Sequence, residues 1–154
     1  MVVYSTTHSD IIYNSTEEIL YVNWKQRPSN NAFIETYLQG LEFVQDQVPV
    51  NLYCTDLSQL GPLEREQEAW LNNVFYSKLY DVLQTNIYVG VVFSENHFKA
   101  IVTNYTATEA TAHHHYVHFN YFTDREEAIF WLESVKKGRD NNLIPTQMLS
   151  KSTT

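Results

Sequence analysis

The chain has 154 residues, 44% apolar and 14% aromatic, and its ten Lys and Arg against eighteen Asp and Glu give a formal net charge of −8. That length suits one domain with a substantial core, and the apolar content excludes a disordered or low-complexity chain. The acidic balance repels phosphate backbones and anionic lipid, so nucleic-acid binding and peripheral membrane binding are not expected as the main role.

In chain order, Val2 to Tyr13 is rich in β-branched and aromatic residues and reads as one strand. Asn14 to Glu18 is a polar turn, and Ile19 to Trp24 a second strand, so the two make a hairpin. Asn30 or Asn31 can cap a helix to about Gln47, with Phe33, Tyr37, Leu41 and Val44 on one face. Val50 to Asp56 is a short strand, and Leu57 to Leu63, with Gly61-Pro62, a loop. Glu64 to Leu83 reads as a longer helix with acidic residues in its first turn, where the dipole favours them, and Trp70, Val74, Phe75 and Leu79 along its stripe. Ile87 to Phe93 is almost continuously apolar, the pattern of a central strand covered on both faces. Phe98, Ile101, Val102 and Tyr105 have helical spacing, and His114 to Phe122 reads as the last strand. Asp124 caps a final helix, with Glu127 at the capping-box position, Ala128, Trp131, Leu132 and Val135 on the inner face, and Gly138 at its end. Residues 139–154 are a polar tail. The expectation is therefore a single α/β domain over 1–138, order ββαβαβαβα, with a mixed, mostly parallel sheet of about five strands.

Cys54 is the only cysteine, so neither an intrachain disulfide nor a cysteine cluster can form, and its apolar neighbours make it a buried thiol. Residues 1–10 lack the cationic-then-apolar order of a signal peptide, and no apolar run is long enough to span a bilayer. A cytoplasmic location is expected, and the glycosylation-type triplets at Asn14 and Asn104 are read as chance matches.

The string Phe122-Thr123-Asp124-Arg125-Glu126-Glu127-Ala128-Ile129-Phe130-Trp131-Leu132 resembles the closing pattern of a family of small bacterial proteins with a STAS-like (anti-sigma-factor-antagonist-like) fold, many from the Bacteroidetes. Trp24 ending the second strand, Asp56 closing the third and a following helix with Trp70 agree with that family, and the resemblance covers roughly residues 1–138. It implies a non-enzymatic regulatory or protein-interaction domain with a protein partner or self-association. True anti-sigma-factor antagonists carry a phospho-acceptor serine in an Asp-x-Ser-Gly-Leu loop, and Ser58 stands at that place in Asp56-Leu57-Ser58-Gln59-Leu60-Gly61. Gln59 departs from the family's glycine, and the alternative reading of Ser58 is an ordinary turn serine. A phosphate at a helix N-terminus gains from the dipole, but Glu64, Glu66 and Glu68 oppose it.

Histidines are the other candidates. On a strand, His113 and His115 would share one face about 7 Å apart, a spacing two imidazoles can use for one metal. His114 and His118 would share the other face about 13 Å apart, too far for one ion. His97 is a candidate third ligand, and the alternative is an edge strand with polar side chains. No phosphate-binding glycine loop, nucleophile elbow or His-Glu-x-x-His motif occurs, so no cofactor is implied. Two further functions compete with the interaction domain: a module binding a small apolar ligand or lipid, and a histidine-based metal-dependent enzyme.

Overall fold

The computed structural model describes residues 1–99 and 114–140. Six strands, β1 (Val2–Ser5), β2 (Ser9–Asn14), β3 (Ile19–Trp24), β4 (Leu52–Asp56), β5 (Ile87–Val92) and β6 (Val117–Phe122), form one sheet in chain order. β1, β2 and β3 pair antiparallel, and β3 to β6 pair parallel. The α/β class and the mixed sheet agree with the sequence, but there are six strands rather than about five. The extra one arises because Val2 to Tyr13 folds back on itself. Thr6 Oγ1 accepts the backbone N–H groups of His8 (3.0 Å) and Ser9 (3.1 Å), which closes a tight turn between β1 and β2.

Helix α1 (Asn30–Asp46) starts one residue earlier than expected, because Ser29 is its cap and accepts Ala32 N–H at 3.1 Å. Its buried face includes Phe33, Thr36, Tyr37, Gly40, Phe43 and Val44. The next helix runs as α2 (Arg65–Trp70), a π turn (Leu71–Phe75) and α3 (Tyr76–Leu83). Gln67 accepts the Glu64 N–H at 3.2 Å as part of a capping box. In the π turn Tyr76 N–H reaches Leu71 O, five residues back. The widened turn changes the helix register, so the buried side is Gln67, Leu71, Phe75, Tyr76 and Leu79, while Val82 is exposed. Residues 95–99 are helical, and the rest of the helix expected around Ile101 to Tyr105 lies outside the described residues. Helix α4 (Arg125–Asp140) closes the domain and runs through Gly138, whose φ is not positive and which therefore does not act as a left-handed stop. Of the expected tail, 141–154 lies outside the described residues.

Side chains alternate across the sheet. Leu20, Val22 and Trp24 of β3 face α1 and the α2–α3 helix, whereas Ile19 and Tyr21 face α4. On the first side an unbroken series of rings crosses the layer: Trp24–Phe33 at 5.3 Å, Phe33–Tyr37 at 5.0 Å, Tyr37–Phe75 at 4.9 Å, Phe75–Tyr76 at 5.1 Å and Tyr76–Phe119 at 5.5 Å between centroids. On the second, Gly90 lets α4 approach closely, since a Cβ there would stand 3.4 Å from the Ala128 Cβ and 3.7 Å from Leu132 Cδ1. No helix among the described residues is long and apolar enough to cross a membrane.

Candidate functional site

The carboxyl ends of β3 and β4 meet the start of α4, and three distant segments share one polar network there. Arg125 Nη1 donates to Asn23 Oδ1 at 2.9 Å and to Asp56 Oδ2 at 3.2 Å, with its guanidinium 4.6 Å from the Tyr21 ring centroid. The other Asp56 oxygen accepts Ser58 N–H (2.9 Å) and Oγ–H (2.6 Å). Tyr21 in turn donates to Glu17. Ser58 is thus half-buried and tied to a carboxylate. It stands well before the helix start, where the capping box of Glu64 and Gln67 already occupies the first turn. The helix N-terminus is therefore not its neighbour in sequence.

Beyond Arg125 the outer side of α4 forms a groove of about 410 Å³ lined by Phe122, Asp124, Glu126, Glu127, Phe130, Trp131 and Ser134. Phe130 is 71% exposed, the one aromatic ring among the exposed large apolar side chains of the described residues. Phe122 and Trp131 lie 6.0 Å apart in its floor, and Tyr88 and His118 continue the aromatic surface. Sequence reasoning missed both Arg125 and Phe130. The signal for Phe130 was present: a phenylalanine off the stripe of Ala128, Trp131, Leu132 and Val135 has no core position to fill.

The histidines separate. His115 is exposed in a turn before β6, not on a strand, and His113 lies outside the described residues. His118 is on β6, stacked on Tyr88 at 4.9 Å. His114 also precedes β6, because pairing with β5 begins only at Val117. Its Nε2–H donates to Asn72 O in the π turn at 2.8 Å, and its ring stacks on Tyr116 at 4.9 Å. This contact ties the segment before β6 to the π turn. His97 accepts or donates at Nδ1 with Ser94 Oγ at 2.8 Å and lies against Gly61, whose φ of +83° the loop turn requires. Among the described residues no group of three or more His, Cys, Asp or Glu side chains is placed to hold a metal. Cys54 is buried, and burial pushes its thiol up to about 12 although Arg125 pulls the other way, so it stays protonated at neutral pH.

A second space lies inside, between the α2–α3 helix and the carboxyl halves of β4, β5 and β6. It measures about 40 Å³ and is lined by Tyr37, Thr55, Tyr76, Phe119 and Tyr121, by Glu68 and Asn72, and by aliphatic side chains. No family model, curated protein or solved structure matches the chain.

Proposed function

We propose that the chain is a non-enzymatic regulatory domain that docks a protein partner on the outer groove of α4, with the STAS-like resemblance as its fold reading and the cytoplasm as its place of action. The observation that carries this is Phe130, 71% exposed on a groove whose floor is aromatic. A ring left in water at such a place stabilises nothing in the fold and offers an anchor. Asp124, Glu126 and Glu127 line the same groove in a chain of net charge −8. The complementary occupant is a basic segment bearing apolar side chains. Ser58 gives this reading a regulatory input: a phosphoryl group there would lose the Oγ–H bond to Asp56 and compete with Asp56 for Arg125, at the root of α4.

A fluorescence-anisotropy titration with a labelled amphipathic Leu–Lys peptide tests the docking. Binding is expected to weaken as salt rises and to fall about tenfold in Phe130→Ser, the loss of one anchor ring. A Leu–Glu peptide is expected not to bind. Equal affinity of Phe130→Ser, or equal binding of the acidic peptide, overturns the reading. A dimer in sedimentation velocity that Phe130→Ser dissolves would make the occupant a second copy and also contradict it.

A further inference from the structure

The lining of the outer groove of α4 narrows what its occupant is. Its apolar part is wholly aromatic: Phe122 at the end of β6, and Phe130 and Trp131 of α4. No Leu, Ile, Val or Met contributes, and four of the seven lining residues are polar. Phe122 lies 6.0 Å from Trp131 and tilted by 44°, and Tyr88 stands 6.3 Å from Trp131 at 70°. These three rings are half-buried, so each keeps part of its surface in water. Rings set at such angles make ridges with slots between them, not a smooth trough.

The groove also holds an unused donor. Of its lining side chains only Ser134 and Trp131 carry a hydrogen to donate. Ser134 Oγ–H is spent on Phe130 O at 2.9 Å. The Trp131 indole N–H has no acceptor among the described residues and is open to solvent. Glu126 and Glu127 are exposed and pair with no cation among the described residues. Arg125, between Asp124 and Glu126, is held by Asn23 and Asp56 instead.

A basic partner segment has three common ways to dock: as an amphipathic helix, as an added strand, or as a polyproline II segment. A helix lays its apolar face into a continuous hydrophobic groove, and here acidic side chains interrupt the rings. Its carbonyls are also spent inside the helix, so the indole donor stays unanswered. An added strand pairs with a sheet edge, whereas five of the seven lining residues are side chains of α4. A polyproline II segment docks on aromatic-lined grooves, and its carbonyls have no internal hydrogen bonds. Its preformed backbone also loses little freedom on an open surface.

We propose that the occupant of the groove is a proline-rich segment in the polyproline II conformation, with an Arg or Lys beside its prolines. The proline rings lie on Phe122, Phe130 and Trp131, a segment carbonyl accepts the Trp131 indole N–H, and the cation pairs with Glu126 or Glu127. The inference rests on the groove being the docking site for a basic apolar partner, and it names that partner's conformation and composition.

Fluorescence anisotropy of the full chain with three labelled peptides of equal length and charge tests it: a proline-rich peptide with two Arg, its alanine counterpart, and an amphipathic Leu–Lys helix. The proline peptide is expected to bind about tenfold tighter than either of the others, since ring contacts and a lower ordering cost add up to about that factor. Trp131→Phe keeps a ring but removes the N–H. It is expected to weaken the proline peptide several-fold and to leave the Leu–Lys peptide unchanged, with a urea midpoint matched to the parent showing that the variant folds. Phe130→Ser, at an exposed position, is expected to weaken the proline peptide as well. A Leu–Lys peptide that binds as tightly as the proline peptide, with both weakened by Phe130→Ser, keeps the groove as a docking site and overturns the polyproline occupant. Failure of all three peptides to bind overturns both readings. Proline-peptide binding that is unchanged in folded Trp131→Phe, or in Phe130→Ser, overturns the proposal.

Discussion

Under α1 and the α2–α3 helix the sheet meets an aromatic layer, in which the rings of Trp24, Phe33, Tyr37, Phe75 and Tyr76 follow one another at about van der Waals spacing. Under α4 the buried side chains are mostly small and aliphatic, Tyr21 apart, with Gly90 against Ala128 and Leu132 and the rings of Tyr88, Phe122 and Trp131 only partly buried. The first layer fills its volume with large rings, and it leaves a small space beside Tyr76 and Phe119 where they do not close. The second obtains contact by close approach and leaves α4's largest ring, Trp131, at the margin and Phe130 in water. One sheet thus supports a side filled by rings and a side held by close approach, whose helix leaves Phe130 exposed.

The largest test of this contrast is Trp24→Ala. Trp24 is 1% exposed and stacks on Phe33, so its removal opens a cavity at the head of the ring series. A loss of about 3–5 kcal/mol in urea unfolding is expected; a loss under about 1 kcal/mol would show that the aromatic layer repacks freely and that the contrast is superficial.

Next comes Gly90→Val. A Cβ at Gly90 already reaches Ala128 Cβ at 3.4 Å, and the branched methyls would push α4 outward. Destabilisation of about 1–3 kcal/mol is expected, and the restoring change lies across the interface rather than within β5. If Gly90→Val is neutral, α4 is not held by close approach.

Much of this arrangement was legible in the residues themselves. The continuous apolar run at Ile87 to Val92 identifies a central strand, and it lies between β4 and β6. Asp124 accepting the Glu126 N–H at 3.0 Å, with Ala128 and Leu132 buried, is the capped amphipathic helix that the pattern predicts. What local pattern does not encode is long-range. The Thr6 turn that splits the first strand depends on a single hydroxyl. The π turn has no periodic signature, and its contact with the segment before β6 joins His114 to Asn72, 42 residues away. Asp56 and Ser58 were visible as neighbours, but Arg125 reaches Asp56 across 69 positions and Asn23 across 102. Metal-type spacing of the histidines presupposed a strand at His115, where the chain turns instead.

The smallest expected effect is the most direct test of the central claim, that the outer side of α4 serves recognition and not folding. In urea unfolding Phe130→Ser is expected to leave the midpoint within about 0.5 kcal/mol of the parent, as for a surface site that touches no core. A loss above about 2 kcal/mol would place the Phe130 ring among the contacts that hold the domain together and contradict its role as an exposed anchor.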